Sequence, residues 1–291
     1  MATLADLPLG ARILIPVGTD ENRLCEIADK DNLVSDGTVL VYKNAYEESK
    51  FGNSTLYPDG TLDNLIKNTI FNSFPQTLRE KMIDVTFTLE SSVSITRKMF
   101  ALTYTMAGFG NNSGLAEGKA LQLYTSNASR VKTFNGSAAF WWLSSQRSSD
   151  VAWDVNADGS ADYDYPSYSS DVVPAFAIPQ SMMLEDSANE DGSYYIKYTE
   201  KISCTINMGS AEEQPKAALP IISCNGNLTL KICNNANDAN PAWETAANET
   251  VHNFANTVKT AAQWAIGLKI DITRTAGESL FLNKPVVLAM K

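Results

Sequence analysis

Strict alternation of apolar and polar positions dominates the last third of the chain. It runs through residues 194–198, 202–206, 227–233, 265–272 and 285–288. A period of two over several such segments predicts half-buried antiparallel strands packed as a sandwich. Residues 10–17 and 85–89 also read as strands, and Leu33-Val34 with residues 39–42 read as hairpin arms around the Asp36-Gly37 turn signal. The spacing changes between them. Leu62, Leu65, Ile66 and Ile70, then Leu78, Met82 and Ile83, recur at helical intervals, with Pro75 opening the second helix where a missing N–H does no harm. The pattern therefore predicts an α+β N-terminal domain over 1–182 and an all-β antiparallel sandwich domain over 193–291. The carboxylate-rich stretch 185–192 is read as the junction or an exposed hairpin.

A Gly, Asn and Ser-rich segment, residues 108–118, precedes three of the five tryptophans, Trp141, Trp142 and Trp153. Loops of that length inside a compact domain usually carry function. Composition narrows the classes further. Charged residues make up 19% of the chain and the net charge is −10, which argues against a nucleic-acid groove, because phosphate binding draws on clustered Lys and Arg. No apolar run reaches the ~20 residues that would cross a bilayer, so no membrane insertion is expected. The opening residues Met1 to Asp6 lack the basic and apolar regions of a signal peptide. Cys25, Cys204, Cys224 and Cys233 match no zinc spacing and read as free thiols.

Phe140-Trp141-Trp142-Leu143-Ser144-Ser145, Ala152-Trp153-Asp154-Val155-Asn156-Ala157-Asp158-Gly159-Ser160 and Asp171-Val172-Val173-Pro174-Ala175-Phe176 resemble the WWLRS, AWxVxxDGxV and GVRPAL signatures of a domain of unknown function. That domain occurs in surface and phage proteins of gut bacteria. The likeness spans about residues 9–178 and includes the helical segment at 61–74. It implies a C-type-lectin-like fold, distantly related to formylglycine-generating enzymes. The signature arginines are Ser144 and Val173 here, so no role resting on either arginine carries over. The run from Cys233 through Trp243 and Phe254 to Trp264 is similar to a β-sandwich module of phage tail and virion proteins. Trp243, Phe254 and Trp264 are expected to fill the space between its sheets. Together the resemblances imply a non-enzymatic virion protein, on the tail or the capsid surface, made in the host cytoplasm. Its expected partners are other virion proteins through the C-terminal domain, further copies of itself and a bacterial surface glycan. A capsid decoration or head fibre and a carboxylate-dependent glycan hydrolase are the alternatives.

The candidate ligand-binding residues are Trp141, Trp153, Tyr163, Tyr165, Tyr168, Asn111 and Asn112, aromatic faces for sugar stacking beside amide groups. Neighbouring residues of a strand face opposite ways, so one of Trp141 and Trp142 is expected in the core. Asp154, Asn156, Asp158, Ser160 and Asp162 are spaced as in a calcium loop, with Tyr165 where the bidentate glutamate belongs. A hairpin turn at Asp158-Gly159 explains the same residues with no cofactor. No catalytic residue is assigned: His252 is the only histidine, and it lies in the C-terminal domain.

Overall fold

The computed structural model describes residues 2–17, 21–90, 92–185, 188–197, 199–275 and 282–290. The chain forms two compact units, Met1–Tyr198 and Thr199–Lys291. Both are β-rich. No helix among the described residues is long and apolar enough to cross a membrane.

The strands of the first unit are β1 (Arg12–Val17), β2 (Glu21–Lys30), β3 (Gly37–Tyr42), β4 (Glu48–Lys50), β5 (Val85–Thr88), β6 (Ser94–Arg97), β7 (Met99–Ala101), β8 (Thr133–Phe134) and β9 (Ser137–Ala138), continuing with β10 (Trp141–Gln146), β11 (Ala152–Val155), β12 (Ala161–Asp164), β13 (Ser169–Asp171), β14 (Pro174–Pro179) and β15 (Tyr194–Tyr195). A six-stranded sheet runs β15-β1-β2-β3-β14-β7, and a five-stranded sheet runs β12-β11-β10-β13-β4. β3 is buried along its whole length, as its apolar run Val39-Leu40-Val41 requires of a central strand covered on both faces. The helical segment Thr61–Asn64, Leu65–Ile70 and Phe71–Ser73 buries Leu62, Ile66 and Ile70 at the expected spacing. Phe74 follows it and meets Phe176 of β14 edge-to-face at 5.4 Å.

Three expectations change here. Leu33 and Val34 lie in the loop between β2 and β3, so the hairpin that the Asp36-Gly37 signal marks has β2 as its first arm. β2 hides from a hydropathy reading because Glu26 and Asp29 are buried in it as partnered groups. Asp29, for example, accepts hydrogen bonds from the backbone N–H of Leu33 at 2.7 Å and of Gln122 at 3.2 Å.

The domain boundary also shifts, from the 182–193 interval to the step after Tyr198. Tyr194-Tyr195 pairs in parallel with β1, and Leu184 bridges Ile196. The segment expected to begin the second domain is therefore the returning arm of a hairpin that adds an edge strand to the first. Asp191 closes its turn by accepting from the Ser193 N–H at 3.0 Å. Asp186, counted within the expected junction, lies outside the described residues.

The second unit has β16 (Thr199–Ala211), β17 (Ala217–Ile221), β18 (Asn227–Cys233), β19 (Glu244–Ala246), β20 (His252–Asn253), β21 (Trp264–Thr275) and β22 (Val286–Met290). They form two antiparallel sheets, β16-β21-β18-β19 and β20-β17-β22. Alternate residues Ile266, Leu268, Ile270 and Ile272 of β21 share one core with Leu230, Ile232, Ala218 and Ile222, so both sheets contribute to it. Phe254 packs against that core.

Trp243 does not join it. The ring lies over Gly267, on the opposite face of β21, where an added Cβ would come within 2.9 Å of the indole. Lys269 caps the same ring at 4.4 Å. The outer face of the smaller sheet exposes Ile221, Val286, Leu288 and Met290.

Candidate functional site

β10 turns sharply into β11, with the N–H groups of Arg147 and Ser148 both donating to the carbonyl of Val151. That turn, Trp153 on β11, Tyr104 after β7 and the 111–113 loop enclose an open cleft of about 470 Å³. Tyr104, Asn111, Asn112, Ser113, Arg147, Ser148 and Trp153 line it. The loop holds its shape because Asn112 and Leu115 exchange backbone hydrogen bonds at 2.9 and 2.8 Å.

Asn112 is buried and fixes the floor of the cleft. Its Oδ1 accepts from the Trp153 Nε1–H at 3.1 Å, while its Nδ2 donates to the Gln146 carbonyl at 2.8 Å and to Glu90 Oε2 at 3.2 Å. The indole is thereby held in one orientation, with Tyr104 stacked on it at 4.4 Å and a 36° tilt. Phe109 continues the row beyond Tyr104 at 5.2 Å, and Tyr163 meets Trp153 edge-on at 6.2 Å. A guanidinium closes each end. Arg130 lies 4.1 Å from the Phe109 ring centre and Arg147 lies 3.4 Å from that of Tyr163, distances at which the ring quadrupole attracts a cation.

The two arginines differ in what their N–H groups do. Buried Arg130 donates to the carbonyls of Ala107, Gly108 and Tyr124 and to Asn127 Oδ1. It is a structural clamp. Gly108 permits this close approach: its φ is +76°, and a Cβ there would sit 2.1 Å from the Tyr124 carbonyl oxygen. Behind the floor, buried Glu117 accepts from the Glu90 N–H at 2.8 Å and from the Ser145 hydroxyl, whose oxygen in turn accepts from the Tyr104 N–H at 2.7 Å. Burial pushes the Glu117 carboxyl above its ordinary range, while the Ser145 bond opposes the shift.

Of the residues expected to bind ligand, Asn111, Asn112 and Trp153 come together in the cleft, and Tyr163 stands at its margin through Arg147. Trp141 does not. It is 0% exposed and donates its Nε1–H to the Arg130 carbonyl at 3.2 Å. Trp142 is buried as well, because β10 is an inner strand packed on both faces, so neither tryptophan of the pair is free to bind. Tyr165 and Tyr168 are exposed and meet each other edge-to-face at 5.6 Å, away from the cleft lining. Reading the residues one by one missed Tyr104, Ser113, Arg147 and Ser148. The signal for Arg147 was its place as the last basic residue before the acid-rich stretch that runs to Lys197.

The Asp154 to Asp162 stretch forms a hairpin. Asp158 accepts from the Ser160 N–H at 2.9 Å and from its hydroxyl at 2.6 Å, and the Asn156 N–H donates to the Ser160 carbonyl. These bonds keep the Asp158 carboxyl below its ordinary range. Asp154 and Asp162 face each other across β11 and β12. The calcium-loop residues thus lie along a strand pairing and the Asp158 turn, and among the described residues no group of three or more His, Cys, Asp or Glu is placed to hold a metal.

Asp154 is nearly buried, and one of its carboxyl oxygens has no hydrogen-bond partner. Burial, then the charges of Asp162 and Asp164, push its carboxyl up to about 7. A carboxyl that binds its proton more tightly when folded stabilises the fold fully below the unfolded value near 4 and loses that contribution as pH rises through about 7. Asp154→Asn is therefore expected to raise stability at pH 8 by on the order of 2–4 kcal/mol and to change it little at pH 4. Urea unfolding of both proteins at the two pH values checks the difference.

Comparison with known proteins identifies the class. The profile of the family Domain of unknown function (DUF6273) matches residues 33–180, half of the chain, and the chain belongs to that family. The match takes in β3 through β14, and so both walls of the cleft. No curated protein and no solved structure matches the chain.

Proposed function

We propose that the first unit is a non-enzymatic binding module, of C-type-lectin-like kind, that takes a glycan in the cleft. The observation that carries this reading is the Trp153 indole, held by buried Asn112 and stacked on Tyr104, with side-chain amide, hydroxyl and guanidinium groups around it. A fixed aromatic face with a few converging polar groups is what a sugar ring needs for stacking and orientation. The lining offers no carboxylate, histidine or cysteine, which favours binding over turnover. Its setting on a phage-type particle rests on the two sequence resemblances.

Calorimetry of the full chain against bacterial surface polysaccharides tests the proposal. Trp153→Ala is expected to weaken binding by about thirtyfold, the size of an aromatic hot-spot loss near 2 kcal/mol. Tyr165→Ala with Tyr168→Ala should leave it unchanged, and no new reducing ends should form. The second reading, a structural decoration, is favoured by the exposed Ile221, Val286, Leu288 and Met290, a face on which a second copy of the chain would pack. Failure of every polysaccharide, together with an oligomer that Leu288→Lys dissociates, would move the function there.

A further inference from the structure

We infer that the ligand carries a carboxylate and that Arg147 receives it, so that the cleft selects an acidic sugar; this rests on the glycan reading above. The argument begins with what Arg147 leaves unused. Its guanidinium lies 3.4 Å from the ring centre of Tyr163 and 5.1 Å from that of Trp153, which occupies its flat face. Its N–H edge has no carboxylate within ion-pair distance and no side-chain acceptor among the described residues. Other arginines of the unit spend that edge: Arg97 on Asp63 at 2.7 Å, Arg12 on Asp191, Arg79 on Asn72, and Arg130 on four oxygens.

A guanidinium held flat by aromatic rings keeps its two-pronged donor edge oriented, and that edge matches the two oxygens of a carboxylate. The backbone bond from the Arg147 N–H to Val151 at 3.0 Å anchors its stem at the cleft wall. The Trp153 ring, the tryptophan of the cleft lining, is close enough at 5.1 Å for one acidic sugar to touch both groups. Charge then restricts the ligand. The lining holds one cation in a chain of net charge −10. It can neutralise a single carboxylate beside the ring, whereas a densely charged polyanion would meet the repulsion of the whole protein.

The test is calorimetry of the full chain with a neutral oligosaccharide bearing a single galacturonate, its methyl ester, a neutral glucan oligomer and poly(glycerol phosphate), repeated with Arg147→Gln, Arg147→Lys and Trp153→Ala. The singly acidic oligosaccharide should bind at least tenfold tighter than its ester. Arg147→Gln should remove that preference by weakening the acid form far more than the ester, and Arg147→Lys should restore it only in part, because a point charge lacks the planar fork. Trp153→Ala should weaken both forms. Equal binding of acid and ester, with Arg147→Gln silent and Trp153→Ala damaging, would overturn the carboxylate assignment and leave the glycan reading intact. Preference for poly(glycerol phosphate) would overturn it in favour of a phosphodiester. Loss of all binding in the wild-type chain would overturn both. Thermal melts of each variant confirm that the fold is retained.

Discussion

Trp142→Ala is expected to lower the stability of the first unit by about 3–5 kcal/mol, the range for deleting a fully buried large aromatic. The ring is 0% exposed and meets Phe51 edge-to-face at 5.5 Å, while its Nε1–H donates to the Ser49 carbonyl on β4 at 2.9 Å. Substitution therefore opens a cavity between the five-stranded sheet and the Phe51-Tyr57 corner, and it also frees an acceptor. Trp142→Phe should cost less, since the aromatic contact survives and only the hydrogen bond is lost. Urea unfolding followed by far-ultraviolet dichroism separates the two variants. A loss under ~1 kcal/mol for Trp142→Ala would place the ring at the surface instead.

The tryptophan pair also shows how far hydropathy carries. Alternation along a strand assigns Trp141 and Trp142 to opposite faces, and the faces do differ: one ring reaches Arg130, the other Phe51. What alternation cannot supply is whether a second layer covers the far face, because that depends on segments distant in the chain. The helical segment at 61–73 and the strands β18 and β21 were legible for the same reason, each burying one continuous apolar stripe, whereas β17, β19 and β20 went unread. β2 was not, since Glu26 and Asp29 look like surface charges until Lys132 and the 122 backbone arrive to partner them. Trp153, Asn111 and Asn112 were found by composition. Arg147 needed the turn that brings it over Tyr163, a contact between residues sixteen apart with no local pattern. The aspartates of β11 and β12 show where spacing alone stops deciding, for a calcium-like spacing is also what a two-stranded turn with Asp158 bonded to Ser160 produces.

Glu26→Ala should be as damaging as the loss of Trp142, for an electrostatic reason. Lys132 is 0% exposed and pairs with Glu26, which is itself nearly buried and also meets Lys43 at 3.1 Å. The Tyr124 hydroxyl adds a long contact of 3.5 Å to the same carboxylate. Burial lowers the Lys132 ammonium from its ordinary value, with Glu26 opposing that shift. Removing the carboxylate leaves an ammonium with no counter-charge in an apolar site, a change that costs about 3–5 kcal/mol in comparable buried pairs. Once the acid is gone, the folded state prefers neutral Lys132. The unfolded chain then holds more protons than the folded one, and the variant should regain stability as pH rises toward 10. Glu26→Leu combined with Lys132→Met removes both charges and should lie much closer to the parent protein than Glu26→Ala does. Denaturant titrations at pH 7 and pH 10 decide the matter: a Glu26→Ala loss below ~1 kcal/mol that does not shrink at high pH would mean that water reaches Lys132, and the pair would then be a surface contact.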